Sequence, residues 1–285
     1  MSLLLDRPTP AARLGRTVIH RTRGRAHGPI TRLASPSDVG QLIKPFVFLD
    51  LIDVPSLDAF GRGFGWHPHS GIATLTVLIE GDAAFEETTG TKGVLPQGSV
   101  EFMRASGGVW HTGAPASKGA LKGFQLWIAL PPDLENAEAM SQHMLPAGVP
   151  VDGPARVLLG KYGDAASPLA RIAPSGINYL DVSLAAGERW TYQPPRGHTV
   201  GWLAVHGGKL AVPETVDRGE LVVFDRSTEA IEIEALDDTR FVLGSALPHP
   251  HELVLGYYSV HTSQAALDQG EREIDRIGRE LKKRL

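Results

Sequence analysis

HPHSGIATLTVLIEG, residues 67–81, can be laid without a gap on QPPRGHTVGWLAVHG, residues 193–207, so that the apolar positions and two glycines coincide. Further along, QGSVEFM (97–103) matches RGELVVF (218–224) after a shorter connection. Self-similarity of this kind identifies one structural module used twice. The module is a β module. PFVFLDLI, TLTVLI, GFQLWIAL, TVGWLAV, ELVVF and RFVLGSAL are short apolar runs, and the 32 glycines and 21 prolines punctuate them throughout. An all-β chain built as sandwiches or barrels is predicted.

The two copies differ at their chemistry. Where the first has His67 and His69, the overlay puts Gln193 and Pro195 in the second, so a histidine-based site belongs to the N-terminal half. Residues two apart in a strand share a face, so His67 and His69 can aim at one point. Pro68 restricts His67 to extended conformations. A third histidine, His111, follows a Gly-rich turn in ASGGVWHTGAP. If its strand neighbours the first, it completes a three-imidazole face. An H-x-H pair alone is equally compatible with a structural or surface role.

The 285 residues suit one large or two ordinary domains. A formal net charge of −4 leaves no broad basic field, which argues against direct nucleic acid binding. The absence of cysteine removes disulfides, thiolate metal sites and cysteine nucleophiles, so any metal is held by His, Asp or Glu. MSLLLDRPTPAARLGR is too short in apolar residues for a signal peptide, and no segment approaches membrane-spanning length. A soluble cytoplasmic protein is expected. There is no P-loop, no dinucleotide-binding G-x-G-x-x-G and no G-x-S-x-G.

The predicted domains are an N-terminal barrel over residues 1–135, a linker region over 136–165, and a C-terminal barrel plus helix over 166–285. The linker region is rich in Pro, Gly, Ala and acids, and its ENAEAMSQHM allows only a short helix. The last stretch, SQAALDQGEREIDRIGRELKKRL, reads as a helix docking Leu267, Ile274, Ile277, Leu281 and Leu285 on the β core, with Lys282, Lys283 and Arg284 where the helix dipole favours cations. The second HPH, His249-Pro250-His251, reads as a surface turn. Glu86 and Glu87 read as a solvated hairpin, and Trp66 and Trp110 as facing away from the histidines.

FGWHPHSGIATLTVLIEG, then FEETTGTKGVLPQGSVEFMRASGGVWHTGAP and GFQLWIAL, resembles the N-terminal half of pirins, bicupin proteins related to quercetin dioxygenases. The likeness runs from KPFVFLDLI to SQAAL and so covers most of the chain. It implies two tandem cupin barrels (double-stranded β-helix, jelly-roll) with a C-terminal α-helix. It implies further that only the N-terminal barrel binds a metal: one mononuclear divalent ion, iron first, with zinc, nickel or manganese as alternatives. His67, His69 and His111 fall on the family's three histidine ligands. The fourth ligand, a glutamate two residues after the third histidine, is here Gly113, and the wider cupin carboxylate position is Ala73 or Thr74.

Three imidazoles still suit Fe(II), Zn or Ni. Without the carboxylate the site is one charge more positive, which favours an anionic ligand, weakens metal retention and predicts release below about pH 6.5. The family's glutamate also deprotonates the substrate hydroxyl, and Glu101 is the candidate substitute. The resemblance thus implies an Fe(II)-dependent dioxygenase acting on a flavonol-like, enolic or phenolic small molecule. The alternatives are a non-catalytic regulator that binds a protein partner through a degenerate metal site, or a decayed scaffold.

Overall fold

A seven-stranded and a four-stranded antiparallel sheet occur twice in the computed structural model, which describes residues 15–56, 63–116 and 119–285. The first barrel's large sheet runs, in spatial order, Met140–Met144, Val100–Arg104, Ile72–Glu80, Leu121–Ala129, Phe46–Val54, Ile30–Ala34 and Arg25–His27. Its small sheet runs Phe64–His69, Val109–Pro115, Ala83–Glu87 and Lys92–Leu95. The second barrel repeats this with Val18–Thr22, Leu221–Phe224, Val200–Gly207, Thr239–Ala246, Ile177–Leu184, Ala155–Leu159 and Val151–Asp152 against Arg189–Tyr192, Ile231–Ala235, Lys209–Val212 and Glu214–Asp217. The chain is therefore the expected all-β pair of tandem barrels. Among the described residues no helix is long and apolar enough to cross a membrane.

The two large sheets share one core. Leu75, Phe102 and Phe124 of the first meet Trp202, Ala204 and Val242 of the second, and the Phe46 and Trp202 rings stand edge to face with centroids 5.4 Å apart. Strand alternation then fixes the remaining side chains. Ala73, Leu75 and Val77 enter the shared core, so Thr74 and Thr76 point into the first barrel. Trp202 and Ala204 enter it from the other side, so Leu203 and Val205 point into the second barrel, where they join its own core.

This alternation corrects the sequence overlay by one residue. Val77 pairs with Val100 and Ala204 with Leu221, so Ala204, and not Leu203, is the counterpart of Val77. A slip of one residue turns every side chain to the other face. Across the small sheets His67 lies opposite His111 and His69 opposite Val109, while Trp190 lies opposite Ile233 and Tyr192 opposite Ile231. Hence Trp190, Tyr192 and Ile233 stand where the first barrel has its histidines. Gln193 and Pro195 do not.

The chain ends cross over. Val18–Thr22 pairs with Leu221–Phe224 in the second barrel, whereas the hairpin Val254–Gly256/Ser259–His261 and the helix Gln264–Leu281 return to the first. Trp110 Nε1 donates to the Ile274 carbonyl at 2.7 Å, and Asn136 Nδ2 donates to that of Ala266 at 3.1 Å. The helix expected in ENAEAMSQHM does not form. Met140–Met144 is instead a strand on Val100–Arg104, and Ala155–Leu159 pairs with Ile177–Leu184. The segment expected as a linker thus extends both large sheets, because an open sheet edge is satisfied best by another strand.

The terminal helix is where the sequence places it, capped by Ser263, but its contact face differs. Leu267, Gly270, Ile274 and Gly278 are buried, while Leu285 lies beyond the helix and is 80% exposed. A Cβ on Gly278 would sit 2.7 Å from the Trp110 ring, and one on Gly270 2.6 Å from His261 and Ser70. The missing side chains are what allow the helix to seat on those rings.

Candidate metal centre

The paired strands Phe64–His69 and Val109–Pro115 bring three imidazoles to one point. Their ligand-capable atoms all lie within 4.8 Å of one another. His67 Nδ1 donates to the Gly65 carbonyl at 2.8 Å and His69 Nδ1 to that of Tyr258 at 3.3 Å. A carbonyl can only accept, so both rings are fixed in the tautomer that leaves Nε2 with a free lone pair. His69 Nε2 and His111 Nε2 are 3.1 Å apart. Metal–nitrogen bonds of about 2.1 Å at tetrahedral or octahedral angles separate ligand nitrogens by roughly 3.0–3.4 Å, so the spacing fits a shared cation.

Burial keeps these rings neutral. It lowers the pKa of His67. His69 lies well below the ordinary imidazole range, through burial and then the neighbouring His111 and His67. Burial, with His67 beside it, brings His111 down to about 4. Neutral imidazole is the form that ligates metal.

A layer contributed by the C-terminal hairpin closes over the site. The Tyr258 ring lies 5.6 Å from that of His67 and 5.9 Å from that of His69, and Trp127 stands edge-on to His69 at 4.8 Å. Tyr258 takes a left-handed backbone conformation, φ 55°, an uncommon state for a bulky residue that tertiary contacts must hold. Ser70 Oγ donates to Ser259 Oγ at 2.8 Å and lies 3.1 Å from His261 Nε2, which ties the hairpin to the residue following His69. Tyr258 and His261 carried no signal in the sequence reading.

The floor opposite the histidines is polar. Strand register lines up His143, Glu101, Thr76, Gln125, Asp50 and Arg32 in one row across the large sheet. Asp50 accepts two hydrogen bonds from Arg32, each 3.1 Å. Burial pushes the Asp50 carboxyl up and Arg32 opposes it. Glu101, with His67, His111, Gly113 and Gln125, lines a cavity of about 60 Å³. Its unpartnered oxygen converges with Glu87 and His143, however, and not with the three imidazoles.

Glu87 departs from the expectation of a solvated hairpin. It lies directly opposite His111 in register and is 3% exposed, whereas Glu86, one residue earlier, faces solvent. Alternation along the strand separates the two. Gly113 also faces this interior, and a Cβ there would have the Ala84 carbonyl, at 3.8 Å, as its nearest neighbour. The position of the family glutamate is therefore open space. Ala73 faces the shared core and Thr74 faces inward without a hydrogen bond for its hydroxyl. Trp110 points away from the histidines, against the terminal helix. His249 and His251 lie in the loop after Ala246, outside the three-histidine group.

The Pirin family model matches residues 28–128. A Pseudomonas aeruginosa protein named as a candidate quercetin 2,3-dioxygenase is 29% identical over 262 residues, which cover 87% of this chain and 90% of its own length. A pirin-like protein of Caulobacter vibrioides is 31% identical over 227 residues, 77% of this chain and 81% of the relative. A crystal structure of quercetin 2,3-dioxygenase from Acinetobacter baumannii superposes with a TM-score of 0.83 at 22% identity, over 92% of this chain and 97% of that one. With the family match and the Caulobacter relative added to the two-barrel fold, the chain belongs to the pirin family.

Proposed function

We propose that His67, His69 and His111 hold one mononuclear divalent metal, iron first, and that the site oxygenates an enolic or phenolic small molecule. The observation that carries this reading is the convergence of three neutral imidazoles, two buried and His67 half-buried, with two Nε2 atoms 3.1 Å apart. The metal, when bound, supplies a Lewis-acidic centre at which substrate and O₂ meet. The chain's own residues do the rest. The Gly65 and Tyr258 carbonyls orient two of the rings.

Neutral ligands leave the metal charge uncompensated, so the site favours an anion. No carboxylate joins the imidazole group among the described residues. The substrate that suits it is therefore an acidic enol that arrives already as the enolate and needs no base at Gly113. A cavity of about 60 Å³ holds roughly two water-sized molecules. A larger, planar substrate is better matched by the neighbouring cleft of about 280 Å³, where Arg32, Phe48, Trp127 and Tyr258 offer a cation and aromatic faces.

Gly113 also motivates a second reading: a metal-holding regulator without catalysis, whose partner is a protein. The two are separated by reconstituting metal-free protein anaerobically with Fe(II) and following O₂ uptake with acidic enols and flavonols. The oxygenase reading expects uptake that depends on Fe(II) and disappears in His111→Ala. Bound iron without uptake supports the regulator, and a three-histidine site that takes no metal removes both.

A further inference from the structure

We propose a second divalent-cation site in the first barrel, formed by Glu87, Glu101 and His143, for a first-row ion such as Zn(II) or Mn(II). The three residues come from three strands. Ala83–Glu87 belongs to the small sheet, and Val100–Arg104 and Met140–Met144 pair within the large one, with His143 directly opposite Glu101. Their ligand-capable atoms lie within 4.8 Å of one another. His143 Nε2 is 3.7 Å from Oε1 of each glutamate, too long for a hydrogen bond. None of the three atoms has any hydrogen-bond partner.

The burial makes this arrangement unusual. Glu87 is 3% and Glu101 5% exposed, and among the described residues neither forms an ion pair with Lys or Arg. Other interior carboxylates here are matched by partners at closer range: Asp50 takes Arg32 in two hydrogen bonds, Asp181 takes Arg156 at 2.9 Å, and Glu135 accepts two hydrogen bonds from Thr262. Two buried carboxylates sharing a pocket resist ionising together unless a cation enters between them. Glu87 is also built to present one oxygen. Its Oε2 accepts from Thr89 Oγ1 at 2.8 Å and from Ser141 Oγ, which leaves Oε1 turned toward Glu101 and His143.

Two carboxylate oxygens and one imidazole are a hard-to-borderline donor set suited to these ions. Ligand spacings in such sites are about 3.0–3.4 Å, so closing on an ion needs a few tenths of an ångström between His143 and each glutamate, now 3.7 Å apart, and at most about 1.5 Å between the two carboxylate oxygens, which lie within 4.8 Å. The His143 side chain, 18% exposed, gives the pocket contact with solvent. The cluster shares no residue with the three-histidine site, although Glu87 sits opposite His111 across the sheet.

Equilibrium dialysis of the full-length, chelator-stripped protein against Zn(II) tests this, with circular dichroism reporting that each variant is folded. Two ions per chain are expected for the wild type, one for His143→Ala and for the near-isosteric Glu101→Gln, one for His111→Ala, and none for His111→Ala/His143→Ala. A single ion that His111→Ala removes and His143→Ala retains would overturn the proposal, and so would two ions undiminished by either His143→Ala or Glu101→Gln. Should the three-histidine reading fail instead, the wild type holds one ion that survives His111→Ala and is lost in His143→Ala, which upholds the second site on its own.

Discussion

Across the floor of the second barrel, strand register aligns Val222, Leu203, Leu243, Leu180 and Val157, and the same strands of the first barrel align Glu101, Thr76, Gln125, Asp50 and Arg32. On the opposite walls, Trp190, Tyr192 and Ile233 replace His67, His69 and His111. One backbone plan therefore carries an apolar plug in one copy and a polar, ligand-lined chamber in the other. Burying an aliphatic or aromatic side chain contributes about 1.5–3 kcal/mol, so the second copy stabilises itself from within. The first copy forgoes much of that interior and leans on the core it shares with its twin, where Phe46 meets Trp202. The difference separates two tasks: the second barrel is the support, and the first holds the polar chamber in which the proposed metal site lies.

The largest effect expected from breaking this division comes from putting a charge on the wrong floor. Leu203 is fully buried among apolar side chains, and Leu203→Glu leaves an uncompensated carboxylate there, at a cost of several kcal/mol. Thermal unfolding should show both barrels destabilised, because they share a core. The mirror change, Glu101→Leu, should keep the fold. If the two variants lose similar stability, the floors are not different in kind.

Next in size is the response to pH. An unfolded histidine titrates near 6.5, whereas burial holds His111 at about 4 and His69 well below its ordinary range. Above pH 6.5 both states are neutral and contribute nothing. As pH falls from 6.5 toward 4, the unfolded chain takes up the proton first, so stability falls, by on the order of 3 kcal/mol for His111 alone. Trp190, Tyr192 and Ile233 offer no matching titration in that window. Urea unfolding of metal-free protein at pH 7 and pH 5 should show the loss, and His111→Ala should reduce it, leaving the part that His69 contributes. The same burial revises the expectation that metal leaves below pH 6.5: protons compete weakly for these rings, so retention should extend to lower pH.

A smaller effect is expected from restoring the missing ligand. Gly113 faces the histidines with open space at its Cβ, so Gly113→Glu should tighten metal binding about tenfold, a change comparable to gaining one supporting ligand contact. Competition with a chromogenic chelator measures it. An unchanged affinity would mean that the carboxylate cannot reach the imidazoles from this backbone.

Much of this was legible in residues that are close in sequence. The repeat, the H-x-H pair, His111 and the glycine at 113 all lie in short stretches whose spacing has one structural meaning. What was not legible depends on parity and on distant pairing. Register shifts between His111 and Gly113 and between Lys122 and Gly123 decide which side chains face inward, and no local pattern marks them. Glu87 and His143 meet Glu101 only through the pairing of separate strands, and Tyr258 reaches His69 from the far end of the chain. The terminal helix shows the same limit. Its apolar stripe pointed to Ile277 and Leu281, but Gly270 and Gly278 make the close contacts, because rings on the barrel fill the space a side chain would take.

The smallest change is the most discriminating about why the first floor is polar. Thr76 sits between Glu101 and Gln125 in the row, and its counterpart is Leu203. Its hydroxyl is buried without a well-formed hydrogen bond and interacts only weakly with the Glu101 carboxylate, so removing it forfeits little that folding gained. Thr76→Val keeps the shape and should shift stability by less than about 1 kcal/mol, toward the more stable side. Leu203→Thr, the reciprocal change, opens a cavity and buries a lone hydroxyl, and should cost about 2–3 kcal/mol. Chemical denaturation of the pair reads the asymmetry directly. It follows if the polar row serves the chamber and not the fold. Should Thr76→Val cost as much as Leu203→Thr, the hydroxyl is holding the floor together, and the first barrel would be stabilised by its polar interior as the second is by its apolar one.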